Sequence, residues 1–155
     1  MSADTPANDP ADMDALLTPY ARSMGITVHD LQDEPILSVP FSDTVQGRPS
    51  HYHGGAISGL LETAGYGAIR MRLKKDGRTQ VQLKPINITM QFLAGAKSET
   101  LYAQARITKL GRRNANVEVE CWQDDRSRPR ATAVMTVLMG AIEDEAPEAS
   151  GTSGT

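Results

Sequence analysis

"HYHGGAISGLLETAGYGAI", residues 51–69, is the stretch that decides the fold. Within it and just beyond it, apolar residues recur at spacings of three and four, which is the period of an α-helix. We therefore predict one long helix from about residue 55 to residue 74. Three glycines inside this helix each cost about 1 kcal/mol of helix propensity relative to Ala, which indicates close approach of other backbone. The helix should thus be enclosed by the protein, yet it carries one carboxylate, Glu62, in its middle.

The sequence on both sides of this helix is typical of extended chain. Four alternating segments follow residue 79, with the turns "GRRN" and "DDRSRP" between the later ones. Strands joined by short turns pair antiparallel. Two short strand-like pieces, separated near residues 33–35, precede the helix, and a short helix that ends at Gly25 precedes them. The pattern predicts an α+β domain with one long helix against an antiparallel sheet.

The length and composition favour a single cytoplasmic domain. The chain has 155 residues, of which 39% are hydrophobic and 23% charged. We place the domain at residues 12–142, between polar tails at 1–11 and 143–155 whose composition predicts disorder. No apolar run reaches the roughly 18–20 residues that span a bilayer, and the first residues lack the pattern of a signal peptide. A single cysteine, Cys121, excludes an internal disulfide and suits a reducing compartment.

The net charge of −3 conceals an uneven distribution. Residues 1–14 and 143–155 each contain four acidic residues and no Lys or Arg, so 11 of the 19 acidic residues remain against 16 basic ones in the body. That balance of about +5 suits an anionic ligand, although a basic surface also serves solubility. Aromatic residues make up only 5% and do not alternate with the basic run "RMRLKK" at the end of the helix, residues 70–75, so no nucleic-acid partner is expected.

A short motif opens the helix. Two glycines, Gly54 and Gly55, follow His53, and Glu62 stands nine positions after that histidine. This pattern resembles PaaI-type acyl-CoA thioesterases of the hotdog-fold superfamily. The segments "PINITMQFLAGA" and "KLGRRNANVEVE" are similar to the same family, so the resemblance covers about residues 25–141. It implies the hotdog fold, an antiparallel sheet wrapped around a long central helix.

The chemistry of a helix start agrees with this resemblance. Consecutive glycines let backbone N–H groups approach a ligand, and the first N–H groups of a helix are unpaired and carry the positive end of its dipole. Such groups can hold the oxyanion that forms when a thioester carbonyl is attacked, with roughly 3–4 kcal/mol per donor. By resemblance, the Gly54 N–H is the best candidate donor, beside Gly55, and His53 orients the loop or contacts the thioester.

The resemblance also implies a role for Glu62. In related enzymes the equivalent carboxylate activates water or attacks the acyl carbon directly, at a site shared with a partner subunit. We therefore expect Glu62 to leave the apolar stripe and to face a cleft between two chains, whereas a solvated glutamate on a helix flank is the alternative. A homo-oligomer, either a dimer or a tetramer, is expected, also because a single sheet leaves an uncovered edge. No metal or redox cofactor is required.

Basic residues near the motif are candidates for binding the phosphates of CoA. In the family, the turn formed by Gly111, Arg112 and Arg113 would lie near these phosphates, and Arg48 in the loop before the motif could serve equally well. The planar guanidinium group suits phosphate geometry. A plain charged hairpin turn explains the same residues equally well.

The residues that assist catalysis in relatives differ here. Many relatives carry Asn or Gln about six residues before the motif histidine, where this chain has Gly47. Relatives often have Ser or Thr one turn beyond the acid or at the start of the next strand, and this chain has Tyr66 and Pro85 there. Thr63 or Tyr66 could substitute as the group that holds the water.

Other chemistries have less support. His51 and His53 with Cys121 could be imagined as a metal site, and Cys121 as a nucleophile, but no CxxC or HExxH motif accompanies them, so Cys121 is interpreted as a packed residue. The sequence therefore predicts an acyl-CoA thioesterase that releases free acid and CoA. The alternative is a hotdog protein that binds acyl-CoA without hydrolysing it, as a sensor or assembly module. A hydratase ranks last, since no His-Asp signature is present.

Overall fold

The computed structural model describes residues 15–141, in which two helices and six strands follow the helical residues 15 and 16. The predicted α+β class is confirmed, and the long helix starts and ends within one residue of the predicted positions. The predicted tails, 1–11 and 143–155, lie outside the described residues. In chain order the elements are α1 (Pro19–Ser23), β1 (Thr27–Asp30), β2 (Ile36–Val39), α2 (Gly54–Lys75), β3 (Val81–Phe92), β4 (Leu101–Leu110), β5 (Asn114–Trp122) and β6 (Ala131–Ala141).

All six strands join one antiparallel sheet in the order β1-β2-β4-β5-β6-β3. The strands that short turns connect pair with each other, as predicted. The segment of residues 93–100 between β3 and β4 is longer, and these two strands are not neighbours. Instead β3 pairs with β6 and forms one edge of the sheet. The longest strand, β3, therefore forms one edge of the sheet, and the short strand β1 forms the other.

The short helix before β1 is interrupted, which the sequence pattern did not predict. Residues 17 and 18 are not helical, and α1 begins afresh at Pro19 because proline lacks the N–H that a continuous helix needs. The Thr18 hydroxyl accepts a hydrogen bond from the Ala21 N–H at 3.2 Å and caps the new helix. The chain then turns at Gly25, whose φ of 81° favours glycine.

Helix α2 lies inside the curve of the sheet, as the sequence predicted. Twelve of its residues are buried, and they surround the helix rather than forming one stripe. It contacts β4, β5 and β6, whose inner faces alternate with outer ones along each strand. Small side chains on these inner faces let the helix approach closely. They are Ala103, Ala105, Ala115, Ala131 and Ala133.

The glycines inside α2 make room for side chains and not for backbone, so that part of the expectation was wrong. A Cβ atom on Gly59 would lie 2.6 Å from the Tyr20 hydroxyl oxygen. A Cβ atom on Gly65 would clash with the Sδ atom of Met135. Tyr20 therefore covers the helix on the α1 side, and Met135 packs against it from the sheet.

Strand β3 presents an uncovered apolar edge. Its register with β6 shifts after Pro85, which cannot donate a hydrogen bond to a neighbouring strand. Leu83 and Met90 are only half-buried, and Ile86 and Phe92 are each 56% exposed. A long apolar edge of this kind is a site for pairing with another chain.

Tyr52, between the two histidines of the motif, anchors the loop before α2. Its hydroxyl oxygen lies 2.8 Å from the carbonyl oxygen of Val39 and 2.7 Å from that of Glu99, and its N–H donates to the Ala96 carbonyl. Burial raises the pKa of Tyr52 to about 12, so the phenol keeps its proton. One side chain thus ties the loop to β2 and to the chain that follows β3.

We expect Tyr52→Phe to lower the free energy of unfolding by about 1–2 kcal/mol, because the buried hydroxyl proton that the Val39 and Glu99 carbonyls share is lost. Urea denaturation followed by circular dichroism measures this change. Tyr102→Phe is the matched control, because the Tyr102 hydroxyl makes no hydrogen bond to any described residue. An equal effect of the two substitutions would contradict the anchoring role.

Candidate functional site

His53 is the N-terminal cap of α2. Its backbone is extended, with φ −65° and ψ 139°, and its Nδ1 atom accepts a hydrogen bond from the Gly55 N–H at 2.8 Å. A Cβ atom on Gly55 would lie 2.9 Å from that Nδ1 atom, so the second glycine of the motif leaves space for the cap. Because Nδ1 accepts, the neutral imidazole carries its proton on Nε2. His53 therefore positions the first turn of the helix and keeps one N–H available.

The Gly54 N–H is the unused donor of this turn. The N–H groups of Ala56 and Ile57 donate to the His53 carbonyl at 3.0 and 3.1 Å, and that of Gly55 donates to the His53 ring. Within residues 15–141 the Gly54 N–H has no acceptor. Gly54 is exposed, and a free N–H at the positive end of a long helix suits a negatively charged or polarised oxygen.

Gly54 lines a cavity of about 320 Å³, which we call the HGG cleft. Phe92 at the end of β3 forms one wall, close enough that a Cβ atom on Gly54 would lie 3.7 Å from its ring. Arg48 and His51 also line the cleft, and both lie close to Gly95, where the absence of a Cβ atom leaves them space. A guanidinium group beside a free helix N–H makes this cleft suitable for an anionic ligand.

Glu62 lies in a second cavity, of about 340 Å³, on the flank of α2 between α1 and β3. We call it the Glu62 cleft. One face of the helix contributes Glu62 and other polar side chains, and Leu16, Tyr20 and Leu83 line the cavity from outside the helix. Glu62 is half-buried and makes no hydrogen bond or ion pair with any described residue. The carboxylate leaves the enclosed part of the helix, as the sequence analysis expected.

Two hydroxyl groups near Glu62 differ in what they can donate. The Thr63 hydroxyl donates to the Gly59 carbonyl at 2.7 Å, so its proton is used inside the helix. The Tyr66 hydroxyl has no hydrogen-bond partner in the part of the chain that the structure describes. Burial, and to a smaller degree the charge of Glu62, raise the pKa of Tyr66, while Arg70 opposes the rise. Tyr66 is therefore a neutral phenol with a free proton, and the better donor of the two.

A single chain does not bring the predicted site residues together. Gly54 and Glu62 are eight residues apart on one helix, about 12 Å along its axis, and they face different clefts. The turn of Gly111, Arg112 and Arg113 lies elsewhere, near the end of α2. There the Arg112 carbonyl accepts a hydrogen bond from Arg78 at 3.1 Å. Arg48 thus lies in the same cleft as Gly54. Thr63 and Tyr66 lie in the same cleft as Glu62, and the arginine turn lines neither cleft.

Arg70 lies in the Glu62 cleft but was not predicted as a site residue. In the sequence it resembles the other basic residues near the helix end, which complement the helix dipole. The signal that identifies it is the spacing of four residues from Glu62 to Tyr66 and again to Arg70, which aligns the three side chains on one face. Tyr52 was also missed, because its partners are distant in sequence.

Cys121 is a core residue, as interpreted from the sequence. It is fully buried, and burial raises its pKa to about 12, so almost no thiolate exists at neutral pH. Within residues 15–141 no group of three or more His, Cys, Asp or Glu side chains could hold a metal ion. In the same range, no helix has the length and apolar character needed to cross a membrane.

Comparison with solved structures shows the same fold in several thioesterases. A thioesterase from Haemophilus influenzae matches with a TM-score of 0.74 and 16% identity, over 85% of this chain and 90% of the other. A mutant thioesterase from Pseudomonas aeruginosa matches with a TM-score of 0.74 and 23% identity, over 87% and 96%. A phenylacetic acid degradation-related protein from Ralstonia eutropha matches with a TM-score of 0.67 and 22% identity, over 79% and 91%.

Sequence comparison identifies the family. No curated protein sequence gives a significant match to the chain. The family model of the thioesterase superfamily matches residues 50–129, which is more than half of the chain and includes the motif, α2 and the strands β3, β4 and β5. The predicted hotdog fold is thereby confirmed. With its histidine-capped helix enclosed by an antiparallel sheet, this chain belongs to the thioesterase superfamily.

Proposed function

We propose that the protein is an acyl-CoA thioesterase, which hydrolyses an acyl-CoA to the free acid and CoA without a metal or redox cofactor. The observation that carries this proposal is the pair of unused groups on α2, the Gly54 N–H and the Glu62 carboxylate. A donor that can hold a carbonyl oxygen and a base that can activate water are the two groups that thioester hydrolysis needs.

These two groups meet when two chains pair through β3. Leu83 near one end of this strand lines the Glu62 cleft, and Phe92 at its other end lines the HGG cleft. Edge strands related by a two-fold axis run antiparallel, so the Leu83 end of one chain meets the Phe92 end of the other. Each dimer then has two sites, each with Glu62 from one chain and Gly54 from the other. A tetramer would contain two such dimers.

In each proposed site the carbonyl oxygen of the thioester accepts a hydrogen bond from the Gly54 N–H. Glu62 takes a proton from water, and the water oxygen forms a bond to the carbonyl carbon. The C–S bond then breaks, and the CoA thiolate takes the proton from Glu62. Direct attack by the Glu62 carboxylate would instead break the C–S bond and form an anhydride, while the released CoA thiolate takes a proton from water. Hydrolysis of the anhydride then regenerates Glu62 and gives the same products. Tyr66 is the proposed donor that holds the water.

The arginine turn reaches the same site in the proposed dimer. The Arg113 carbonyl accepts a hydrogen bond from the Met139 N–H at 2.6 Å, and Met139 pairs with Leu83 in the sheet. The turn therefore lies at the Leu83 end of β3, which faces the HGG cleft of the other chain. We propose that the phosphates of CoA bind between this turn and Arg48. The residues of the turn are Gly111, Arg112 and Arg113.

We expect Glu62→Gln to lower kcat by about 10²–10⁴-fold with an unchanged fold, because the amide cannot accept the proton. A free-thiol assay over short-chain, medium-chain, long-chain and aryl CoA thioesters measures this loss. Glu118→Gln is the control, because Glu118 pairs with Arg106 at 2.6 Å on the outer face of the sheet. Full activity of Glu62→Gln would remove Glu62 from the mechanism.

Mixing two inactive variants tests whether the site is shared. Gly54→Pro removes the N–H at the first position of α2, where proline fits a helix, and the extended His53 can precede a proline. We expect Gly54→Pro and Glu62→Gln each to be inactive alone. After unfolding and refolding together, their mixture should regain about one quarter of wild-type activity, since half of the dimers contain one intact site.

Two observations would contradict the shared site, one from the mixing experiment and one from light scattering. A mixture as inactive as its components would mean that the site does not combine Gly54 and Glu62 from different chains. Gly54→Ala is the control, because it keeps the N–H and its Cβ atom would only contact Phe92 at ordinary distance. Light scattering checks the assembly, and a monomer at micromolar concentration would exclude the shared site.

His53 is expected to act as a positioning residue. His53→Ala removes the cap and should lower the free energy of unfolding by about 1 kcal/mol, together with activity. His53→Asn restores an acceptor for the Gly55 N–H, so we expect wild-type stability and activity within about a factor of five of wild type. Thermal melts and the thiol assay measure both. A stable but inactive Asn variant would show that the ring N–H contacts the thioester directly.

A non-hydrolytic acyl-CoA-binding protein is the second candidate. The observation that favours it is the Thr63 hydroxyl, which is used by the Gly59 carbonyl and so does not donate to a water beside Glu62. Equal thermal stabilisation by acyl-CoA and by free CoA, with no thiol release, would support this candidate over hydrolysis.

A further inference from the structure

Three polar side chains follow one another along the Glu62 cleft. Glu62, Tyr66 and Arg70 are spaced by four residues each, so they lie on one face of α2, and all three line the same cavity. The electrostatic effects of Glu62 and Arg70 on the pKa of Tyr66, in opposite directions, show that both charges lie close to the phenol. The cleft thus has a carboxylate at one end, a neutral hydroxyl in the middle and a guanidinium group beyond it.

Arg70 differs from Arg72 and Lys75 because its charge has no partner among residues 15–141. Arg72 pairs with Asp76 at 3.4 Å, and Lys75 pairs with Asp33 at 3.5 Å. Arg70 makes no hydrogen bond or ion pair with any residue between 15 and 141. It lines both the Glu62 cleft and a smaller cavity of about 210 Å³ that continues toward the end of α2. An unpaired guanidinium group between two cavities is suited to bind an anionic part of a ligand.

The walls around Arg70 suit a hydrocarbon chain. Leu16 and Leu83 line the Glu62 cleft, and Leu16, Met71 and Val81 line the smaller cavity. The methylene chain of an acyl group whose thioester lies beside Glu62 would contact these apolar side chains as it runs along the helix flank. It would then reach the guanidinium group of Arg70, since arginine side chains on a helix lean toward its N-terminus.

We infer that the acyl group hydrolysed by this protein ends in a carboxylate and that Arg70 binds this carboxylate. The inference rests on the proposed hydrolysis at Glu62 and adds the substrate class. Glu62 and Arg70 are about 12 Å apart along the helix, which leaves roughly 6–9 Å between the thioester carbon and the terminal carboxylate. Dicarboxylic acyl groups of the size of adipyl and suberyl match this distance.

The phosphates of CoA are the other anions that Arg70 could bind. The pantetheine arm carries them much farther from the thioester than the two helical turns between Glu62 and Arg70. In the proposed dimer, Arg48 belongs to the other chain and lies with Gly54 in the HGG cleft, across the thioester from Glu62 and Arg70. Arg70 therefore lies on the acyl side of the reacting carbon.

Matched pairs of substrates test this inference. We would measure kcat/KM by thiol release for adipyl-CoA against hexanoyl-CoA and for suberyl-CoA against octanoyl-CoA. The wild type should prefer the dicarboxylic member of each pair by about tenfold or more. Arg70→Gln should lower this ratio by about 10- to 100-fold, and Arg70→Lys should retain part of it, because an ammonium keeps the charge but not the planar fork. Arg72→Gln, the matched control, should keep the wild-type ratio.

The outcomes separate this inference from the proposed function. An unchanged ratio in Arg70→Gln would overturn the inference while leaving hydrolysis in place. An equal loss for all four substrates would also overturn it, because Arg70 would then bind CoA. Absence of thiol release from every thioester in the wild type would refute hydrolysis itself.

A binding measurement gives a readout that does not need turnover. In a Glu62→Gln background, adipyl-CoA should raise the melting temperature more than hexanoyl-CoA does, and adding Arg70→Gln should remove this difference. Equal stabilisation by the two ligands in the Glu62→Gln variant would contradict a carboxylate site at Arg70.

Discussion

The enclosure of α2 by the sheet is the constraint on which the rest of the structure depends. Alanines on the inner faces of β4, β5 and β6 bring the strands close to the helix, and Met135 packs against the position of Gly65. A helix enclosed in this way can present polar side chains only where the enclosure ends. One such place is the flank between α1 and β3, where Glu62 lies. The other is the first turn, where the Gly54 N–H lies.

A sheet that curves around one helix also leaves an edge that the helix does not cover. Ile86 and Phe92 on β3 are each 56% exposed, and an apolar edge of this length is prone to unspecific pairing unless a defined partner covers it. In the proposed dimer the contact that covers the edge also joins the two clefts. Loss of the interface would then remove stability and activity together, because both depend on the same strand.

Local patterns predicted most of the fold. The helical period after residue 53 and the alternation after residue 79 depend only on neighbouring residues, so the bounds of α2 and the strands could be read directly. The pairing of β3 with β6 could not be read from the sequence, because it depends on how the chain passes around the helix. The same limit applies to the site. Gly54 and Glu62 could be found from their spacing in one short motif. The anchoring of Tyr52 to Val39 and Glu99 could not be found in this way, because it joins residues far apart in sequence.

The distance between Glu62 and Arg70 explains how one cleft can keep both a base and a cation. Eight residues of helix separate them by about 12 Å, and opposite charges at that distance in a wet cleft attract by less than about 1 kcal/mol. Arg70 therefore does not neutralise the carboxylate, and Glu62 does not occupy the guanidinium group. Tyr66 lies between them as a neutral phenol, since burial raises its pKa. A closer spacing would form an ion pair, which would remove the base and the anion site at once.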